Sequence, residues 1–156
     1  EELRNDIMPL VESTYSTYAP TADTDGFAAS RDHRAFSGYS QGCYACWIAM
    51  RHLLDTARWW MPLASGSTTA ASAKEGILAQ GDYADDFFIY VGSGGPRDAA
   101  YEGTVSMLKD MVADNFFSFG TDMHSNNLYV TISNEVHQTL IGRYYMYNAF
   151  CDGFLK

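Results

Sequence analysis

The run Gly38-Tyr39-Ser40-Gln41-Gly42 fits G-x-S-x-G, a pattern in which a serine rides on a sharp turn between a strand and a helix. Side chains two positions away would crowd that turn, so glycine is expected at both flanks. A serine hydroxyl is a weak nucleophile at neutral pH. It needs a histidine to take its proton and a carboxylate to fix the tautomer of that histidine and stabilise the imidazolium. Of the four histidines, His137 follows a predicted strand. His33 precedes the strand that leads to Ser40, His52 falls in the helix after it, and His124 sits in a polar loop before a later strand, so these three read as surface or structural.

Among the carboxylates, Asp98 follows a Gly-rich loop after a strand, whereas Asp85, Asp86 and Asp122 precede strands. Open α/β sheets place their sites beyond the C-terminal ends of the strands. That rule selects Ser40 as nucleophile, Asp98 as orienting acid and His137 as general base. The N–H of Gln41, just past the turn, is the candidate oxyanion donor. Tyr39, Trp59 and Trp60 are candidates for an aromatic-friendly, substrate-binding pocket.

These residues must be positioned by elements that the hydrophobic pattern marks out. Leu3, Ile7, Leu10, Val11 and Tyr15 form the stripe of an amphipathic helix over residues 2–17, with Pro9 as a kink or as the start of its real body. Residues 19–34 read as a polar connector. A strand over 34–39 leads into the turn at Ser40, and Cys43, Cys46, Trp47, Met50, Leu53 and Leu54 recur at helical spacing over 41–56. Further strands are expected at 59–63, 87–91 and 128–132. Helices are expected at 70–80, 99–112 and 137–150, with N-caps offered by the Ser/Gly/Thr-rich turn of 64–68. Strands alternating with helices imply crossover connections and a mostly parallel sheet of about four strands, covered on both faces.

Composition narrows the remaining classes. A chain of 156 residues that is 47% hydrophobic and 15% aromatic can bury a core and reads as one compact domain. With a net charge of -9 and only 10 basic residues, nucleic acid and anionic membrane are excluded as expected partners. No apolar run reaches the roughly 20 residues of a membrane-spanning helix, and the acidic amphipathic start is unlike a signal peptide, so a soluble mature form is expected. Cys43 and Cys46 form C-x-x-C, but no second ligand pair follows at zinc spacing and both lie on the apolar stripe of a helix. They read as small buried hydrophobes. No metal or organic cofactor is implied.

The segment Asp32-His33-Arg34-Ala35-Phe36-Ser37-Gly38-Tyr39-Ser40-Gln41-Gly42 resembles the nucleophile region of the α/β-hydrolase esterase group that contains bacterial feruloyl esterases and acetyl xylan esterases. Met8-Pro9-Leu10-Val11-Glu12-Ser13-Thr14-Tyr15 is similar to the helix that leads into it. Trp60-Met61-Pro62-Leu63-Ala64-Ser65-Gly66 is similar to the strand after the elbow helix, and Val136-His137 with Tyr145-Met146-Tyr147-Asn148 resembles the histidine loop and closing helix. The likeness runs over nearly the whole chain. It implies the roles already given to Ser40, Asp98 and His137. It also implies a substrate, esterified xylan or an oligosaccharide carrying feruloyl or acetyl groups, and with it secretion. One departure is Glu135-Val136-His137-Gln138, which lacks the glycine that often precedes the family's histidine.

The same resemblance sets an expectation of incompleteness, since several strands normally precede the nucleophile elbow and one of their loops donates a second N–H to the oxyanion hole. Residues 1–156 are thus expected to be the C-terminal half of the fold, a partial esterase domain partnered by its missing N-terminal half or by self-association. Two other readings stay open: a non-catalytic carbohydrate- or protein-binding remnant of a hydrolase, and an acyltransferase using the same acyl-enzyme.

Overall fold

The strands fall within two residues of where the short apolar, β-branched and aromatic runs place them. In a computed structural model, which describes residues 1–64, 66–123 and 125–153, β1 (Ala35–Tyr39), β2 (Trp59–Leu63), β3 (Phe88–Ser93) and β4 (Leu128–Ile132) form one all-parallel sheet in the order β1-β2-β3-β4. The connections run through α3 (Gln41–Met50), α4 (Ala70–Leu78) and α5 (Tyr101–Ala113), and α6 (Thr139–Cys151) follows β4. Before β1 lie α1 (Met8–Thr14) and α2 (Thr24–Ala29). The α/β class and the four parallel strands agree with the expectation. His124 and Ser65 lie outside the described residues, as does 154–156.

Side chains on β2 and β3 alternate between two cores, as period-2 geometry requires. Trp60, Ile89 and Val91 pack with Cys43, Cys46, Trp47, Met50, Ile77, Leu108 and Met111 of the helices on one face. Trp59, Met61, Leu63, Phe88 and Tyr90 pack with Ile141, Tyr145 and Ala149 of α6 on the other. All five residues of β2 and all six of β3 are buried, which explains why these strands read as continuous apolar runs. Pro62 has no N–H to give, and the β2–β3 pairing skips from Trp60↔Ile89 to Leu63↔Gly92.

Departures from the expected elements have local causes. The first helix is a π-helical stretch, Leu3–Ile7, that hands over to α1 just before Pro9, so the proline occupies the opening turn of the α-helix, where its missing N–H costs little. Within the expected connector, Asp23 accepts a hydrogen bond from the Gly26 N–H at 2.9 Å and starts α2, which buries Phe27. The elbow helix stops at Met50, six residues early, and the chain turns through 51–57 instead, still burying Leu53 and Leu54.

Candidate active site

Three loops at the C-terminal ends of β1, β3 and β4 meet at one rim of the sheet. Ser40 follows β1 directly and sits at φ 57°, ψ −113°, a conformation that costs a non-glycine residue about 1–3 kcal/mol. It is held there by its N–H, which donates to Leu63 O of β2 at 2.9 Å, and by α3, which begins at the next residue. A β-carbon on Gly38 would lie 1.9 Å from Gly42 O, so glycine is obligatory at that flank. Gly42 differs: a β-carbon there would meet nothing within 4 Å. The expectation of a glycine requirement on both sides therefore holds at one side only, because the crowding comes from Gly38 facing the backbone of Gly42, and not the reverse.

The loop after β3 carries Asp98, whose side chain is 1% exposed. Its Oδ1 accepts the Ala100 N–H at 2.8 Å and lies 3.1 Å from Nδ1 of His137. Gly94 makes this possible, since a β-carbon there would stand 2.3 Å from Asp98 Oδ2 and 2.6 Å from Glu135 O. The loop after β4 carries His137, whose Nε2 lies 2.8 Å from Ser40 Oγ. The structure thus joins residues 40, 98 and 137, distant in sequence, into one hydrogen-bonded chain. The absence of a glycine before His137 does not keep the imidazole from reaching Ser40.

Chemically, the arrangement has an acceptor for the serine proton at Nε2 and a buried carboxylate holding Nδ1–H. Gln41 is the first residue of α3, so its N–H has no partner within the helix and stands at the positive end of the helix dipole, beside the hydroxyl that would be attacked from. Tyr39 lies with its ring 5.1 Å from the His137 ring and is wedged against α6, where a β-carbon on Gly142 would meet it at 2.8 Å. Burial, and then the charge of Asp98, pushes its hydroxyl pKa up.

The two tryptophans are elsewhere. Trp59 and Trp60 are 3% and 1% exposed and open β2 at the end of the sheet opposite Ser40. Their indole N–H groups donate to Asp32 O at 2.7 Å and Ala57 O at 3.1 Å. They are core residues on opposite faces of a buried strand, which corrects the expectation that they line a substrate pocket.

The rejected candidates are occupied in other ways. His33 stacks on Tyr18 with ring centroids 3.9 Å apart, and Asp86 pairs with Arg31 at 2.5 Å. Asp122 accepts from the Ser125 hydroxyl at 2.7 Å. Cys43 and Cys46 are buried thiols, not a disulfide, and burial raises the pKa of Cys46. One residue that the sequence reading passed over is Tyr145, whose hydroxyl lies between the loops of Asp98 and His137. The signal was available: a tyrosine on the buried stripe Ile141, Tyr145, Ala149 must find a hydrogen-bond partner.

No protein-family model matches the chain. It is 32% identical over 157 aligned residues to Endo-1,4-beta-xylanase Y of Acetivibrio thermocellus, covering 96% of this chain and 14% of that protein. Among solved structures it matches a structure of FAE with TM-score 0.88 and 32% identity, covering 99% of this chain and 58% of that one. It also matches the feruloyl esterase module from Clostridium thermocellum, a serine-to-alanine mutant complexed with sinapinate. There the TM-score is 0.88 and the identity 32%, over 98% of this chain and 56% of that one. The chain therefore spans little more than half the length of the solved structures it matches, and a small part of the xylanase. The resemblance read from the motifs is borne out, and the α/β fold is that of the feruloyl esterase structures.

Proposed function

From a chain with the fold of feruloyl esterase structures and a Ser–His–Asp chain at its rim, we propose a serine carboxylic-ester hydrolase that releases feruloyl or acetyl groups from esterified xylan. The observation that carries this reading is the pair of contacts at His137, 2.8 Å to Ser40 Oγ and 3.1 Å to Asp98 Oδ1. In the reaction, His137 takes the proton as Ser40 Oγ attacks the ester carbonyl, and Asp98 stabilises the resulting imidazolium. The alkoxide leaves with the proton carried by Nε2, and water, deprotonated by the same nitrogen, releases the acid from the acyl-enzyme. The N–H of Gln41 faces the developing oxyanion. An aromatic acyl group is favoured because the relative complexed with sinapinate binds an aromatic acid, and Tyr39 is the aromatic side chain at hand beside the histidine. Secretion fits a polysaccharide substrate, and among the described residues no helix is long and apolar enough to cross a membrane.

The proposal includes a partner segment. Among the described residues β1 is hydrogen-bonded to β2 on one side only, and Leu3, Ile7, Phe36, Ala45, Ile48 and Leu53, with Arg4 and His52, line a groove of about 1020 Å³ between the first helical stretch, β1 and α3. A further strand, of the kind that the longer solved structures have room for, would pair with the open edge of β1 and bring the second oxyanion donor. Without it, turnover is expected to be about 10²–10³-fold below a complete site, and the chain is expected to self-associate, which light scattering would detect as a mass above that of one chain.

The test is hydrolysis of methyl ferulate and p-nitrophenyl acetate by the chain and by Ser40→Ala. Release of acid that disappears with Ser40 supports the proposal. Binding of feruloylated xylo-oligosaccharide with no turnover attributable to Ser40 would favour a non-catalytic module instead, and ester product formed on adding an alcohol would favour an acyltransferase.

A further inference from the structure

α6 starts two residues after His137 and runs back beneath the rim, burying Ile141, Gly142, Tyr145 and Ala149. Tyr145 is 2% exposed, and its ring lies so close under Gly92 that a β-carbon there would approach it to 2.7 Å. Its hydroxyl reaches between the loop of the acid and the loop of the base. It donates to Ser93 O, five residues before Asp98, at 2.5 Å. With its proton committed there, it accepts from the Ser133 hydroxyl, four residues before His137, at 2.8 Å.

From that point the two loops are laced together. Ser133 N–H also donates to Ser93 O at 3.0 Å, and Ser133 Oγ accepts the Glu135 N–H at 3.2 Å. The Gly95 N–H donates to Glu135 O at 3.0 Å, and Arg97 Nη2 donates to Asn134 O at 3.3 Å. Burial raises the pKa of Tyr145, so the hydroxyl keeps its proton throughout the neutral range. A buried hydroxyl with two partners is stiff, because losing either leaves a polar group unpaired in the interior.

We propose that Tyr145 is a positioning residue for the catalytic chain: its hydroxyl sets the separation of the two loops, and through them the Asp98–His137 contact and the approach of His137 to Ser40. The inference rests on the reading of residues 40, 98 and 137 as a triad. It goes beyond that reading in assigning control of the geometry to a side chain whose hydroxyl bonds Ser93 and Ser133 and not the three reacting groups. An error of about 1 Å in such a geometry costs up to about 10²-fold in rate, and loss of one of several ties is expected to cost less.

Tyr145→Phe removes the hydroxyl and keeps the ring against Gly92, and Ser133→Ala removes its second partner. Both are compared with the unaltered chain and with Ser40→Ala, using methyl ferulate turnover, thermal unfolding and the downfield proton NMR resonance of His137 Nδ1–H. The expected result for Tyr145→Phe is a kcat about tenfold lower with KM within about twofold, at a temperature where it is fully folded, and a broadened or displaced Nδ1–H resonance. Ser133→Ala should shift both in the same direction by less. An unchanged kcat and an unchanged resonance in Tyr145→Phe would overturn the inference, even if Tm fell, since a prop for the fold alone would behave that way. Activity lost in Ser40→Ala but intact in Tyr145→Phe sinks this inference by itself. Activity that survives Ser40→Ala sinks the triad reading and takes the inference with it.

Discussion

At the N-terminal ends of the strands, charges are paired and held. Arg31, with a side chain 7% exposed, donates to Leu54 O at 2.8 Å and to Asp86 through both terminal nitrogens. Arg34 binds Glu12 at 2.6 Å and Thr56 O at 2.5 Å, tying α1 to the foot of β1. At the C-terminal ends, Ser40 and Ala64 both sit at φ 57°, and the imidazole of His137 is one-third exposed. One rim stores strain and exposure, and the other stores satisfied contacts. A fold can hold a strained, open serine when the surrounding structure over-determines it, and the foot of the sheet is where much of that support lies.

The largest test of that division is Ser40→Gly. Activity should fall by at least about 10³-fold, since the proposed nucleophile is gone. Glycine adopts φ 57° without steric cost, so stability should rise by up to about 1 kcal/mol, less what glycine adds to the entropy of the unfolded chain. Ester assays and thermal melts on the same preparation check both. A fall in Tm would break the claim that the rim is strained.

Next in size is the contrast between the two motif glycines. Gly38→Ala drives a methyl into the Gly42 backbone and should cost about 3 kcal/mol or more, together with activity. Gly42→Ala meets open space inside α3 and should be neutral or gain up to about 1 kcal/mol from helix propensity. Denaturant melts of the pair decide it, and equal losses would refute the asymmetry.

The smallest effect is expected at the foot. Arg31→Met leaves Leu54 O and Asp86 short of a donor and should cost about 1–3 kcal/mol, reduced because Asp86 is half exposed and retains Arg58 as an ion-pair partner at 3.0 Å. Its kcat on methyl ferulate should stay within about twofold of the unaltered chain. A loss of kcat at a temperature where the variant is folded would mean that the two rims are not separable.

Much of this was legible because the decisive signals are local. The short apolar run at 59–63 and the β-branched and aromatic run at 128–132 gave strands with those bounds, and strand, Gly-flanked serine and helix follow each other in sequence at 35–50. Asp98 and His137 stood out by lying after strands, a positional rule that needs no knowledge of contacts. What the sequence hid depends on long-range packing or on single hydrogen bonds. α2 exists because Asp23 caps six residues of ordinary composition, and no periodicity can register in so short a span. Trp59 and Trp60 were misjudged by composition, although their place at the start of β2 already put them at the foot of the sheet, away from the loops. Tyr145 looked like one more aromatic on a helix, and its partners Ser93 and Ser133 are 52 and 12 residues away.

The direct measurement of the central claim is intact-mass and peptide mapping after treatment with a fluorophosphonate. The account expects one adduct per chain, on the peptide that holds Ser40, formed far more slowly in His137→Ala and more slowly in Asp98→Ala. An adduct on another residue, or labelling of Ser40 at the same rate in all three proteins, would contradict it, because the hydroxyl would then owe nothing to its neighbours.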